Sequence, residues 1–251
     1  GGRVAVVYTD EAAQSASVGV RFTLAGGAGS VSALNPDPFA SYGDPGTLYL
    51  SGGKFLPAET MTGTYRLVIP SFTSWSPAGI TVTNGWVCLP ESLAVATAGD
   101  VTVGKGGTLE LRGNTVLDCG GDLLLTDGGD LYARAGPTNG VAPEYGALVA
   151  VNGDLTLGSG SVIYPFSCST NGGSVLFTAA NFTLAAGAAI NANAKGFLGG
   201  HISAGYGPGA GWCAGGVGSG AGGSYGGRGG LNYENTVYGV THAPGLPGSG
   251  G

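Results

Sequence analysis

Charged side chains are scarce in this chain. Lys, Arg, Asp and Glu together make up 10% of its 251 residues, whereas about 25% is usual for a soluble protein. The nine Lys and Arg are scattered and the formal net charge is −6, so the basic patch that a nucleic-acid-binding protein needs is missing. No apolar run approaches the roughly 20 residues of a membrane-spanning helix. We therefore predict neither a nucleic-acid partner nor a membrane span.

Residues of the common catalytic motifs are also few. The only histidines, His201 and His242, both lie among glycines, whereas a Ser-His-Asp site needs a histidine held in position. The Gly-x-Ser-x-Gly motif is absent, and no glycine tract is followed by the Lys-Ser or Lys-Thr of a phosphate-binding loop. We predict no catalytic residues, no metal site and no cofactor, and we expect that the chain is not an enzyme.

Glycine is abundant, with 53 residues, but it follows no Gly-X-Y period of the collagen kind. Glu, Lys and Met are scarce, while Thr, Val, Ser and Leu recur throughout the chain. This composition is typical of strands separated by tight turns. It predicts an all-β fold.

A repeat occupies the middle of the chain. It reads small, Asp or Asn, apolar, any, apolar, any, any, Gly, any, any, Leu or Ile. Four clear copies and two degenerate upstream copies have their second residue at Thr47, Gly79, Asp100, Asp122, Asp154 and Asn181. Apolar residues two apart put both side chains on one face of a strand, and the later glycine allows a turn.

Each copy is too short to bury its own apolar face, so successive copies must stack. We therefore predict a right-handed parallel β-helix, a solenoid whose coils lie about 4.8 Å apart. Two interior columns are expected, one of Leu109, Leu131, Ile163 and Ile190, the other of Val101, Leu123, Leu155 and Phe182. The alternative, a β-sandwich of hairpins, explains the recurring register less well.

Acidic residues recur at the second position of the repeat, as Asp100, Asp122 and Asp154, with Asn181 in the last copy. Stacked acids could bind Ca²⁺ or act on a polysaccharide, but Asp and Asn also cap tight turns with their side chains. Recurrence in successive copies, with Asn allowed, favours capping. An enzyme of the solenoid type would also need basic partners, for which the nearest candidate pairs are Arg112 with Asp118 and Arg134 with Asp130.

The four cysteines contain no Cys-x-x-Cys pair and fit no zinc pattern. Cys88 is assigned to the Leu/Ile column, and Cys119 to a further column with Thr97, Val151 and Thr178; both are predicted to be buried core thiols. Cys168 and Cys213 lie in inserted or glycine-rich segments, where a disulfide is more plausible. The pairing itself does not follow from the spacing.

Two further patterns have an ordinary explanation beside a functional one. Residues 181–183 form an N-glycosylation sequon, which falls in the repeat turn and is interpreted as accidental. Several aromatic residues are candidates either for stacking on sugars or for packing. They are Tyr8, Tyr42, Tyr49, Trp75, Trp86, Tyr132, Tyr164, Tyr206 and Trp212.

The chain divides into three parts. Residues 1–45 are predicted to form strands and loops that join the solenoid, residues 46–195 its coils, and residues 196–251 an appended, largely irregular glycine-rich segment. In residues 196–230, 17 of 35 residues are glycine and Arg228 alone carries a formal charge. A disordered linker is the alternative for this part, but its Trp, Tyr and Cys favour an ordered segment.

Residues 1–8 read GGRVAVVY and residues 46–50 read GTLYL. This combination resembles the "GGRIAVYY … GTIYL" pattern in glycine-rich repeat segments of very large bacterial surface proteins. There it follows a stretch like residues 223–230 and a short glycine-ended tract, here residues 238–251. The order suggests that the chain, which starts with Gly1 rather than Met, is one period of a tandem array. The motifs are of low complexity, cover both ends and part of the middle, and carry no catalytic residues to transfer.

The resemblance implies a secreted or cell-surface location and a β-solenoid with an adhesive or scaffold-like role. The first hypothesis is a structural repeat module of a large extracellular protein or a filament subunit, which associates with itself or with neighbouring units head to tail. The second is a carbohydrate-binding or adhesin module that binds surface glycans. The third is a β-helix enzyme that degrades polysaccharides.

Overall fold

The structure is a computed structural model, and it describes residues 1–10, 12–14, 20–27, 43–56, 59–199, 205–211 and 247–249. Over these residues it contains 19 β-strands, a single 3₁₀ turn at Gly53–Phe55, and no α-helix. The predicted all-β class is confirmed. Most of the predicted glycine-rich segment, residues 200–204 and 212–246, lies outside the described part of the chain.

The strands form three sheets, in which every neighbouring pair is parallel. Sheet 1 contains, in spatial order, β1 (Arg3–Val6), β2 (Thr47–Leu50), β4 (Tyr65–Val68), β7 (Gly85–Cys88), β10 (Gly107–Gly113), β13 (Asp130–Ala135), β16 (Val162–Phe166) and β19 (Ala189–Ile190). Sheet 2 contains β3 (Thr60–Thr62), β6 (Ile80–Thr83), β9 (Val101–Val103), β12 (Leu123–Leu125), β15 (Asp154–Leu157) and β18 (Asn181–Leu184). Sheet 3 contains β5 (Ser74–Trp75), β8 (Ala94–Thr97), β11 (Val116–Cys119), β14 (Ala147–Val151) and β17 (Val175–Thr178).

From β3 onward the chain visits sheet 2, sheet 1 and sheet 3 in turn, and this order recurs without interruption as far as β19. We call one passage through the three sheets a rung. Each new rung adds a strand to the same side of every sheet, so β17, β18 and β19 are the last strands of sheets 3, 2 and 1. This cyclic order of parallel strands is compatible with a parallel β-helix.

The core is built from the inward-facing side chains of all three sheets, as the alternation of apolar residues requires. Both predicted columns are confirmed, since each member pairs in register with the next. Leu109, Leu131 and Ile163 have 0% exposure.

The most upstream copy of the repeat, at Thr47, is not equivalent to the other five copies, although the repeat predicted that it would be. Thr47–Leu50 lies in sheet 1, where Leu48 pairs with Leu67 of β4. The first strand of sheet 2 is β3, whose Met61 pairs with Val82. The error arises because apolar residues two apart mark an inward-facing strand of any sheet, so the pattern does not distinguish sheet 1 from sheet 2.

Two column members are also shifted by one residue. Val87, rather than Cys88, pairs with Leu109. Val82 pairs with Val103, and from there the chain takes five residues to reach Val87 but six to reach Leu109. Cys119 does pair with Thr97 and Val151, but Thr178 pairs with Ala150. The prediction that Cys88 and Cys119 are buried is confirmed.

Candidate functional site

The repeated acids form a continuous ladder from one rung to the next. The backbone N–H of Asp122 donates to Oδ1 of Asp100 at 2.9 Å, and that of Asp154 donates to Oδ1 of Asp122 at 2.8 Å. At the end of the ladder the side-chain amide of Asn181 donates to Oδ1 of Asp154 at 2.6 Å. The side chains of these acids therefore hydrogen-bond one rung to the next. The predicted capping concerned only the turn in which each acid lies.

A glycine precedes Asp122 and Asp154, the two acids whose backbone N–H groups donate to the acid of the preceding rung. A Cβ atom on Gly121 would lie 2.1 Å from Oδ1 of Asp100, and one on Gly153 would lie 2.0 Å from Oδ1 of Asp122. Such distances are far below van der Waals contact, so any side chain here would displace the carboxylate below it. Within the described residues, no three His, Cys, Asp or Glu are grouped so that they could hold a metal ion.

The outer face of sheet 1 carries a buried carboxylate, Glu110, which is only 2% exposed. Its Oε1 lies 2.7 Å from Nε of Arg134 and 3.3 Å from Nε of Arg112. Its Oε2 accepts hydrogen bonds from Nε1 of Trp86 at 2.8 Å and from the thiol of Cys88 at 3.1 Å. Both oxygens are therefore fully engaged, which suits a structural ion pair better than proton transfer.

Aromatic rings and cations extend this cluster toward the C-terminal end of sheet 1. The rings of Tyr132 and Tyr164 stack with centroids 4.6 Å apart, so the two rings cover each other. The guanidinium carbon of Arg134 lies 4.0 Å, and the ammonium nitrogen of Lys195 4.3 Å, from the centroid of the Phe166 ring. Such cation–π contacts hold the side chains of Arg134 and Lys195 against the ring of Phe166.

The arginine partners differ from those predicted. Arg112 and Arg134 both pair with Glu110, and among the ion pairs of the described residues neither the predicted Asp118 nor Asp130 takes part. Arg112 and Asp118 lie in different sheets. The sequence analysis missed Glu110. Its signal was a glutamate between the two core leucines of β10, one strand away from Arg134.

Burial perturbs two groups near this cluster. Burial raises the pKa of the Cys88 thiol, and the neighbouring negative charge of Glu110 adds to the effect, so this thiol is a poor nucleophile. Burial also raises the pKa of Asp130 to about 6, although the backbone N–H of Val162, which donates to its Oδ1 at 3.0 Å, acts in the opposite direction.

Cys168 differs from the two buried thiols because it is partly exposed. Burial acts to raise the pKa of Cys168, but hydrogen bonds from the backbone amides of Asn171, Thr170 and Gly172 outweigh burial and lower this pKa overall. Cys168 has a free thiol. Its possible partner Cys213 lies outside the described residues.

Within the described ranges, no strand covers the C-terminal end of the three sheets. Phe182, Leu184 and Ile190 continue the inward-facing columns into the last rung, yet they are 44%, 45% and 46% exposed. No Asp, Glu, Lys or Arg occurs in residues 155–194, which include this rung. The outer edges of β17, β18 and β19 have no neighbouring strand in the described part of the chain.

The N-terminal end is closed by comparison. Val4 and Val6 of β1, the outermost strand of sheet 1, are partly buried, and Met61 of β3, the outermost strand of sheet 2, is fully buried. Val4, Val6, Phe22 and Phe55 all pack against the core. The segment containing Phe22 is fixed by the backbone N–H of residue 24, which donates to the carbonyl of residue 64 at 2.6 Å. The two ends of the molecule are therefore physically different.

A cavity of about 610 Å³ lies beside the end of sheet 1. It is lined by backbone of the glycine-rich segment and by the side chains of Phe166, Ser167, Ser169, Lys195 and Phe197. Lys195 forms no ion pair with any described carboxylate. The cavity therefore combines hydroxyl groups, one cation and aromatic edges.

His201, His242, Tyr42 and Trp212 lie outside the described residues. The side-chain nitrogen of Asn181, where a glycan of the sequon would be attached, is already bonded to Asp154.

Within the described ranges, the chain contains no helix that is both long and apolar enough to cross a membrane. Comparison of the chain with protein-family models, curated proteins and solved structures found no match.

Proposed function

We propose that this chain is a structural module, a right-handed parallel β-helix in a large extracellular or cell-surface protein or filament, which assembles by stacking through its C-terminal end. The observation that carries the proposal is the open last rung, in which Phe182, Leu184 and Ile190 are nearly half exposed on an edge without charge. Sheet edges that face water are usually protected by charges, proline or bulges. An edge that lacks charged residues is suited to pairing.

The handedness, the location and the structural role have three separate supports. Crossovers between parallel strands of one sheet are right-handed in about 98% of cases, which favours the right-handed β-helix for the cyclic strand order. The extracellular location rests on the resemblance of residues 1–8 and 46–50 to segments of bacterial surface proteins. The saturated contacts of Glu110 favour a scaffold over a catalyst.

Analytical ultracentrifugation over a range of concentrations tests the proposal. We expect the native chain to associate, and Phe182→Lys to weaken association by about 100-fold or more, because it places an unpaired charge in an apolar contact. Val141→Lys is the matched control, since Val141 is 65% exposed in the loop between β13 and β14. Circular dichroism would verify that both variants are folded.

Two results would contradict the proposal. One is a native chain that stays monomeric at every concentration. The other is a folded Phe182→Lys variant that associates as strongly as the native chain does.

Carbohydrate binding is the second candidate function, and the cavity beside Phe166 and Lys195 favours it. The hydroxyls of Ser167 and Ser169 could bond sugar hydroxyl groups, and the ammonium of Lys195, which forms no ion pair with a carboxylate of the described residues, would suit an acidic sugar. A glycan array would test this function, with Lys195→Ala as the variant. Binding of acidic glycans that Lys195→Ala abolishes would support it, and an array without signal would contradict it.

A further inference from the structure

The two ends of the molecule differ in what they offer to another chain. At the N-terminal end, Phe22 and Phe55 pack against the core and Met61 of the outermost strand β3 is buried, so a rung arriving there would have to displace this cover. At the C-terminal end, by contrast, Phe182, Leu184 and Ile190 of the outermost strands are nearly half exposed. Head-to-tail stacking, in which the C-terminal end of one copy meets the N-terminal end of another, is therefore unfavourable, because the cover of the N-terminal end would have to be displaced.

The C-terminal end is suited to contact with the same end of a second copy of the chain. A twofold contact brings each group close to groups of the same surface, so any charge there would meet a like charge. The last rung has no charged residue, and the acid ladder ends in the neutral Asn181 in place of a fourth aspartate. The side chain of Asn181 is directed back to Asp154, to which it donates at 2.6 Å.

We propose that the occupant of the open end is a second copy of this chain, joined tail to tail through a twofold axis perpendicular to the stack of rungs. The last strands of the two copies then run antiparallel, and their edges pair while Phe182, Leu184 and Ile190 of both copies form one continuous core. This inference rests on the proposed function, because it requires that the C-terminal end associates. It predicts a closed dimer, and so narrows the proposed function to a structural module of a larger protein rather than a filament subunit.

Distances between spin labels distinguish the two modes of stacking. Thr60 in β3 and Thr183 in β18 occupy one outward-facing column of sheet 2, in its first and last strands. Five steps of about 4.8 Å separate these strands, so the two positions are about 24 Å apart along the stack. Each position would be labelled singly as Thr60→Cys or Thr183→Cys, in a chain carrying the Cys168→Ser and Cys213→Ser replacements. Cys88 and Cys119 are buried and can stay.

Tail-to-tail pairing and head-to-tail stacking predict different results in double electron–electron resonance. In a tail-to-tail dimer the two labels at position 183 lie within about 25 Å of each other, whereas those at position 60 lie about 50 Å apart or more. In a head-to-tail assembly, translation along the stack gives nearly the same distance for both positions. A difference of about 25 Å or more between the two label distances would support the proposal.

The outcomes separate this inference from the function on which it rests. A monomeric chain without dipolar coupling overturns both. An associated chain with equal distances at the two positions, or one whose mass keeps growing with concentration, overturns tail-to-tail pairing alone and leaves assembly through the C-terminal end intact. A dimer with unequal distances that Phe182→Lys dissociates and Val141→Lys preserves is the expected result.

Discussion

The acid ladder makes a quantitative prediction about Asp122 and Gly153. Asp122→Ala removes the acceptor of a charge-assisted hydrogen bond of 2.8 Å to the backbone of Asp154, which is worth about 1.5 kcal/mol at a partly exposed site. Asp122→Asn keeps an oxygen at the same place and should cost at most about 0.5 kcal/mol. Gly153→Ala places a Cβ 2.0 Å from that oxygen. It should cost about 3 kcal/mol, because the bond is lost and the backbone must also shift.

A double-mutant cycle isolates the clash. Once Asp122→Ala has removed the carboxylate, the nearest remaining atom to the Cβ of Gly153→Ala is the carbonyl oxygen of Gly121, at 2.9 Å, and the cost of Gly153→Ala should fall to about 1 kcal/mol. The assay is thermal unfolding followed by circular dichroism, in which 1 kcal/mol corresponds to about 2–4 °C for a chain of this size. Equal costs of Gly153→Ala in the two backgrounds would refute the argument. A large effect of Asp122→Asn would show that charge, rather than an acceptor oxygen, holds the ladder.

Three other predictions concern stability. Leu131→Asp should unfold the chain, because it buries an unpaired charge at a column position with 0% exposure, and unchanged thermal melting would disprove the column. Glu110→Ala should lower the free energy of unfolding by about 3 kcal/mol, because it removes the acceptor of the Arg112 and Arg134 guanidinium groups and of the Trp86 indole N–H. The exposed Glu91→Ala serves as its control in urea denaturation, and equal midpoints would contradict the role of the buried carboxylate. For Asp130, the folded-state pKa of about 6 lies above the ordinary 3.8, so ionisation costs stability as the pH rises from about 4 to 6. Asp130→Asn should therefore stabilise the chain by about 1 kcal/mol at pH 7.5, after allowance for solvent screening, and have little effect at pH 4. Stabilisation of equal size at both pH values would rule out this explanation.

Much of the architecture could be predicted from the repeated register. Leu109 and Leu131 belong to one column because equivalent positions of stacked strands must coincide, whatever lies in the loops between them. The same pattern failed at Thr47, where an alternating strand of sheet 1 resembles one of sheet 2. It failed by one residue at Cys88 and Thr178, because insertions between strands change the count without changing the pattern.

The Glu110 cluster could not be predicted by the same reasoning. Its members come from three neighbouring strands of sheet 1, and Trp86 and Arg134 are 48 residues apart in the chain. Only the register places Cys88 beside Glu110 and Glu110 beside Tyr132. The predicted pairing of Arg112 with Asp118 was wrong because Asp118 lies in a different sheet, whereas Glu110 lies in the same strand as Arg112.

The sequence by itself determined the all-β class, the spacing of the rungs and the composition of the core columns, because side-chain alternation and stacking depend on local period alone. It also contained the uncharged stretch of residues 155–194, without indicating what that stretch does. Only the tertiary structure showed that the stretch includes the last strand of each sheet, with Phe182 and Ile190 exposed, while the opposite end is covered. An inward-facing apolar residue is buried where another rung stacks on its own, and it is exposed where none does. Only the assembled sheets decide which of the two applies.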